Sequence, residues 1–331
     1  MPRKINHTWE QICTFDSLYT AWREVKRGKS ERGLILRYEN DLVANLERVL
    51  ESLRDGTYQP KPHYEFTLRD TKARLIHAPH LEDRIVQHAV CNAIRIPVQN
   101  KLIHHTYSCL IGRGVHRCSE QLSHYLSTGR YKYYLKADVS KFFYSINHNA
   151  LMAEVRRVFK CQKTISLLEL FVRVNDTGKG IPIGASTSQI LANLALNPLD
   201  HHARRDLGID TYLRYCDDMV AVFESRDEAV DALSGIERRL NGLGFFLNPC
   251  SHIGTCSAGI DWVGYRHWPR YRLVRKSTIR RIRNKLRSGP LDHSALASYL
   301  SHGIRTASLP FLCRLCSPCR AYTISRWLEK R

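Results

Sequence analysis

An α+β fold with a mostly antiparallel sheet is what this sequence predicts, on three observations. Strand-like and helix-like segments follow one another along the 331 residues. Two of the strand-like runs stand on either side of "CDD" in "YLRYCDDMVAV", residues 212–222, too close for anything but a tight hairpin, which a doubly wound parallel sheet does not contain. Apolar residues make up 43% of the chain, enough for one large or two modest cores.

Residues 10–55 read as helical: Leu42, Leu46, Val49, Leu50 and Leu53 fall on one helix face, and Gly56 ends it. From about 58 to 77 the pattern is extended, with "HYEFTLRD" and "KARLIHAP" around a charged turn. The next helix, "LEDRIVQHAVCNAI", carries Ile85, Val86, Ala89, Val90 and Ile94 at helical spacing. "YKYYLKADVSKFF" reads as a buried strand ending at Asp138. Residues 148–173 look helical, "NDTGKGIPIG" is a loop punctuated by Gly and Pro, and a helix from about Ser186 to Asp206 is expected to kink or divide at Pro198. After the hairpin come the helix "DEAVDALSGIERRLNGLG" and short strands around "FFLN" and "DWVGYRHW". From residue 270 the composition changes. "RYRLVRKSTIRRIRNKLRSG" holds Arg275, Lys276, Arg280, Arg283 and Arg287 among its nine cations and no acid, with Ile279, Ile282 and Leu286 as an inner face.

Lys and Arg number 51 against 31 Asp and Glu, a formal charge of +20, which suits a polyanionic partner and, at the tail, a phosphate backbone bound with strong salt dependence. No apolar run is long enough to span a bilayer and the start "MPRKINHTWEQ" lacks a signal-peptide core, so a cytoplasmic nucleic-acid binder with no membrane attachment is expected. Eleven cysteines, an odd count, fit reduced thiols rather than a disulfide framework. Cys313, Cys316 and Cys319 have partial metal-ligand spacing, but with only His302 as a fourth donor ordinary thiols are the favoured reading.

Two adjacent carboxylates at a hairpin, Asp217 and Asp218, repel each other. A solvated turn tolerates that; a divalent metal site would offset it with a larger opposite charge. Asp138, at the end of its own strand, is the candidate third carboxylate. Carboxylates converging from neighbouring strands could hold two divalent ions about 3.5–4 Å apart, the arrangement that stabilises the attacking and leaving oxygens of phosphoryl transfer.

In order along the chain, "KARLIHAPHLEDRIVQHAV", "LKADVSKFF", "GIPIGASTSQILANLALNPLD", "YCDD" and "WVGY" resemble the fingers segment, first catalytic-Asp motif, template- and nucleotide-facing loop, tyrosine-x-Asp-Asp box and primer-grip hairpin of bacterial, group II intron-like reverse transcriptases. The resemblance implies a right-hand polymerase fold: an N-terminal helical extension over 1–57, fingers over 58–135 and about 148–180, a palm with an antiparallel sheet over 136–268, and a basic helical thumb over 269–331. It implies RNA-directed DNA synthesis from deoxynucleoside triphosphates, with two Mg²⁺ ions, for which Mn²⁺ can substitute. Ile183, Gly184 and then Ser188 and Gln189 replace the Gln-Gly form of intron and retroviral-type enzymes. That Ile-Gly-x-x-x-Ser-Gln pattern is similar to diversity-generating retroelement reverse transcriptases, which copy a template-repeat RNA into adenine-mutagenised cDNA alongside a small basic accessory variability protein, expected to be oligomeric.

By the same resemblance Asp138 and Asp217, with the carbonyl of Val139, are the metal ligands, and Asp218 the secondary carboxylate at the primer end. Phe143 is the gate against a ribose 2′-OH, with Phe142 left for packing. Lys72 and Arg74 grip the triphosphate, while Ile183, Gly184 and Gln189 face the nascent pair. Trp262, Gly264 and Tyr265 form the primer grip. Two positions depart from the pattern. Cys250, Ser251 and His252 stand where relatives commonly have a Lys, with His252 as a conceivable substitute, and Leu110 stands where an Arg is common, with Arg113 as its conceivable replacement. The resemblance shows no RNase H or integrase segment, which leaves template removal and cDNA integration to other proteins. Two other readings stay open: another bacterial reverse transcriptase of retron, phage-defence or intron type, and an idle RNA-binding scaffold on the same fold.

Overall fold

The computed structural model describes residues 4–29, 31, 33–69, 73–174, 177–288 and 293–316. The helical stretch expected over 10–55 is four helices: α1 (Trp9–Ile12), α2 (Phe15–Lys26), α3 (Gly33–Asn40) and α4 (Leu42–Asp55). Thr14 explains the first break, since its extended backbone and a side chain accepting from the Ser17 N–H start a new helix. In α4 the expected Leu46, Val49, Leu50 and Leu53 are buried, and Gly56, at φ +74°, supplies the left-handed cap.

Strands β1 (Tyr64–Arg69) and β2 (Ala73–Ala78) form a separate antiparallel ribbon, with Tyr64 opposite Ala78 and Arg69 opposite Ala73. Helix α5 (Leu81–Gln99) buries all five residues expected of its core face, and α6 (Val115–Ser127) follows. Beyond β3 (Tyr133–Asp138) and the short α7 (Phe142–Ser145), the helix expected over 148–173 is α8 (His148–Val158) and α9 (Gln162–Val172). The interruption is caused by the N-terminal segment: Ile5 donates to the Val158 carbonyl and accepts from the Lys160 N–H, which takes the backbone out of the helix. Helix α10 (Ser186–Ala195) and α11 (Asn197–His201) divide at Leu196 with Pro198 in the first turn of α11, as Pro dictates, and a π turn, His202–Asp206, closes the segment.

The central sheet has the order β4–β5–β3–β6, all neighbours antiparallel, with β4 (Leu213–Tyr215), β5 (Asp218–Phe223) and β6 (His252–Thr255). Helix α12 (Arg226–Gly242) packs against it. The alternation of β5 shows how the sheet is held: Met219, Ala221 and Phe223 enter the main core, whereas Val220 and Val222 enter a second core with Leu122 of α6 and Trp262. The strand expected around "FFLN" does not form. Residues 245–248 run as a loop bridged to the sheet only at Leu247 and Val139, because the first extended backbone after α12 to pair fully with β3 is β6.

A three-stranded sheet follows, β7 (Ile260–Trp262), β8 (Tyr265–His267) and β9 (Arg272–Val274), and then α13 (Lys276–Arg287), α14 (His293–Gly303) and α15 (Leu309–Cys316). The basic tail therefore begins as a strand paired with β8 before it becomes helical. Ile282, Leu296, Leu300, Leu312 and Cys316 form a third core beneath it, with Ile279 and Leu286 packed against them as the spacing predicts.

Candidate active site

Asp138 ends β3 and Asp218 begins β5, and the two are cross-strand partners in the ladder. Residues so placed have Cα atoms about 4.5–5.5 Å apart. Asp217 occupies the two-residue turn between β4 and β5 beside Cys216, whose φ is +59°. The acid pair thus straddles the turn and the strand rather than lying wholly in the turn: Tyr215 and Asp218 form the closing pair. A left-handed non-glycine residue costs of order 1 kcal/mol or more, so something must hold Cys216 there.

All three carboxyls are held above the usual carboxylate range. Burial raises Asp138 and then the Asp217 charge adds to it; burial raises Asp217. Asp218 is pushed up to about 6, by burial first, against the pull of Lys136, with Asp138 and Asp217 adding repulsion. Arg74 acts on Asp217, and Arg275 on Asp218, in the relieving direction. None of the three carboxylates forms an ion pair among the described residues. Asp138 is braced instead: Asn248 Nδ2 donates to its Oδ2 at 3.1 Å, the Asn248 N–H donates to its carbonyl at 2.7 Å, and its own N–H donates to Ser251 Oγ at 3.2 Å. Among the described residues no three His, Cys, Asp or Glu side chains are grouped so as to hold a metal ion between them. An open site is what Mg²⁺ accepts, since it binds through one or two carboxylates and takes its remaining oxygens from water and substrate phosphates. Partly buried, mutually repelling carboxylates that no nearby cation reaches as an ion pair fit such an ion.

Around them, Phe143 is half-buried and meets Phe142 edge-on at 5.4 Å, while Phe142 is buried against Phe245. The division of gate and packing expected for this pair is therefore physically available. Arg74 is exposed on β2, Gln189 is exposed on α10, and Val139 is buried one residue past β3. Lys72 lies outside the described residues.

The remaining expected site residues have these surroundings. Gly184, at φ +118°, leaves its open side to β2: an added Cβ would stand 3.0 Å from Ile76 Cγ2 and 3.2 Å from the His77 carbonyl, and the His77 N–H donates to the Ile183 carbonyl at 2.8 Å. Its lack of a side chain serves contact with the β1–β2 ribbon. Trp262 and Tyr265 are fully buried, so they anchor the hairpin; its tip is Val263 and Gly264, at φ +42° and +88°, the left-handed pair of a type I′ turn. Arg275 is tied to Asp261 (Nε to Oδ1, 2.9 Å), whereas Lys276, Arg280, Arg283 and Arg287 are exposed, Arg283 standing 5.3 Å over the Phe311 ring. Arg113 donates from Nη1 to the carbonyls of Ile103 and Thr106, and Leu110 is buried. His252 is spent on the Tyr134 hydroxyl (3.1 Å) and the Cys250 carbonyl (2.9 Å). Cys316 lies in the third core and Cys313 beside it, Cys319 is outside the described residues, and His302 approaches the Tyr265 hydroxyl at 3.5 Å.

Sequence reasoning passed over Lys136, whose ammonium donates to the Asp261 carbonyl at 2.9 Å beside Asp218, and the buried trio Asn193, Asp200 and Arg214 behind the acid turn. The signal was present: an Arg in the short apolar strand "YLRY" must find a buried anion.

Compared with known proteins, residues 59–266 match the family described as "Reverse transcriptase (RNA-dependent DNA polymerase)", which is more than half of the chain. The chain belongs to the reverse transcriptase family. Among curated relatives it is 26% identical to Protein YkfC of Escherichia coli over 237 aligned positions, covering 58% of this chain and 62% of that one. It is 24% identical to the group II intron-encoded protein LtrA of Lactococcus lactis over 202, covering 56% and 33%. Telomerase from Candida albicans, solved with a fragment of telomeric RNA, superposes with a TM-score of 0.55 at 12% identity, over 82% of this chain and 55% of that one; apo telomerase from Candida tropicalis gives 0.52 at 14%, over 73% and 52%. The chain thus spans less than two thirds of the length of each. These likenesses make the architecture the right-hand polymerase fold that the reverse transcriptase motifs imply.

Proposed function

We propose that this reverse transcriptase is an RNA-directed DNA polymerase that copies a template-repeat RNA into adenine-mutagenised cDNA for targeted sequence diversification. One observation carries the polymerase reading: the β3–β5 ladder pairs Asp138 with Asp218 and the adjoining turn adds Asp217, three carboxyls that resist ionisation where a divalent ion would relieve them. Asp138 and Asp217, with the Val139 carbonyl, would hold Mg²⁺ or Mn²⁺, which when bound activates the primer 3′-hydroxyl and shields the triphosphate. Asn248 and Ser251 keep Asp138 oriented from both sides, and Lys136 holds Asp218 toward its charged form at the primer end. Arg74, with Lys72, receives the triphosphate. Phe143 closes the space a 2′-hydroxyl would need.

The N-terminal helices 1–57, fingers over 58–135 and 148–180, palm over 136–268 and thumb over 269–331 are the working division, with the sheet of β7, β8 and β9 bridging palm and thumb. Exposed Lys276, Arg280, Arg283 and Arg287 face the duplex backbone, and Arg275 sets the angle of α13 through Asp261. No helix among the described residues is long and apolar enough to cross a membrane, and no disulfide joins the described cysteines.

The mutagenic role rests on Ile183 standing where a hydrogen-bonding Gln is usual. An apolar side chain leaves polar groups near the nascent pair unsatisfied, which weakens discrimination; the accessory variability protein belongs to the same reading. The likeness to LtrA favours a second reading, an intron-type or other bacterial enzyme of ordinary fidelity. Primer extension on an RNA template with Mg²⁺, with Asp217→Asn as control, tests the polymerase. Sequencing the cDNA separates the two readings, since errors concentrated at template adenines and reduced by Ile183→Gln support diversification, and an even, unaltered spectrum rejects it.

A further inference from the structure

Behind the acid turn lies a charge pair without solvent contact: the side chains of Arg214 and Asp200 are both 0% exposed. Every donor of the guanidinium is used. Nε and Nη2 clamp the two Asp200 oxygens at 2.7 and 2.6 Å, Nη1 donates to Asn193 Oδ1 at 3.1 Å and to the Cys216 carbonyl at 2.7 Å, and Nη2 reaches the Asn193 carbonyl at 3.3 Å. Asp200 is completed by the hydroxyls of Tyr212, at 2.9 Å, and Thr106, at 3.0 Å. An ion pair sealed in a core is seldom retained for stability, since apolar residues of the same volume do as well or better. What it supplies is direction, a fixed cation with one donor aimed at a chosen carbonyl.

That carbonyl belongs to Cys216, the left-handed residue that turns the chain into Asp217. Asn193 stands one helical turn after the exposed Gln189 on α10, so the same guanidinium touches the nucleotide-facing helix and the acid turn. We infer that Arg214 is the positioning residue of the catalytic turn: clamped by Asp200, it holds the Cys216 carbonyl, fixes where Asp217 and Asp218 stand opposite Asp138, and registers that turn against α10. The inference rests on the polymerase reading above.

The test uses full-length protein in complex with an RNA template and a dideoxy-terminated DNA primer plus the next deoxynucleotide, with Mn²⁺ uptake followed by electron paramagnetic resonance. Arg214→Lys keeps the charge opposite Asp200 but loses the fork, and its Mn²⁺ dissociation constant should rise about tenfold, the size of a lost charge-assisted hydrogen bond. The Mg²⁺ concentration for half-maximal extension should shift likewise, with the deoxynucleotide KM at saturating Mg²⁺ unchanged. Thr106→Val removes a different hydrogen bond from the same Asp200 and leaves the Cys216 contact; it should lower Tm comparably without moving Mn²⁺ affinity. Should Arg214→Lys fail to fold, the neutral pair Asp200→Asn with Arg214→Gln replaces it, with the same expected loss of affinity. Equal affinities in wild type and Arg214→Lys, or affinity falling with Tm alike in Arg214→Lys and Thr106→Val, overturn the inference while leaving the polymerase intact. A wild type that takes up no Mn²⁺ and extends no primer overturns the polymerase reading, and this one with it.

Discussion

Asp218→Asn should make the metal-free protein more stable at neutral pH, contrary to the usual cost of altering a partly buried polar residue. The native fold raises the Asp218 pKa from 3.8 to about 6, through burial and then, against the opposing Lys136, through Asp138 and Asp217. At 1.36 kcal/mol per pKa unit, ionising that group in the native state costs about 3 kcal/mol more than in the unfolded chain. The sign follows from proton linkage: the native state binds the proton more tightly, so this group's full stability is present below about pH 4 and is lost as pH rises to about 6. Asn keeps the shape and removes the charge. Urea unfolding in EDTA at low salt should therefore show no gain for the variant near pH 4 and a gain approaching about 3 kcal/mol at pH 7. Mg²⁺ should stabilise the wild type more than the variant, since it relieves the same repulsion. A stability difference independent of pH, or a variant less stable than wild type at pH 7, would refute the reasoning that these three carboxyls are crowded.

Phe143→Ala should admit ribonucleotides in primer extension, whereas Phe142→Ala, buried against Phe245, should cost about 3–5 kcal/mol in urea unfolding without changing sugar selection; unaltered ribonucleotide exclusion in Phe143→Ala removes the gate. Gly184→Ala should lose activity, because its Cβ would press on Ile76 and the His77 carbonyl at a φ of +118°, and unfolding should show a cost of about 1–3 kcal/mol; a silent substitution would mean the ribbon is not docked there. Lys276→Ala and Arg280→Ala on α13, both exposed, should each lower the salt slope of duplex binding by about one, while Arg275→Ala, which frees Asp261, should lower Tm as well; a salt slope unchanged in all three would place the nucleic acid elsewhere.

Local patterning made much of this legible. The 3.6 period on α4 and α5, the division of the helix at Pro198 and the cap at Gly56 are properties of neighbouring residues, so they can be read without knowing what lies across the core. Helix ends were harder, because the break between α8 and α9 is caused by Ile5, far away in the chain. The buried anchor roles of Trp262 and Tyr265 were likewise invisible, since an aromatic beside a turn reads alike whether it faces a primer or a core.

By itself the sequence determined which chemistry is possible: acids at the ends of strands, a basic helix, and motifs whose order names a polymerase family. Only the tertiary structure decided that Asp138 and Asp218 are ladder partners, that Gly184 makes room for β2, and that Arg214 spends all its donors behind the turn. The reason is physical. Residue type and local period are carried by the chain within a few positions, but register, burial and the satisfaction of a buried charge depend on partners dozens of residues away, and those distances are settled only when the core closes.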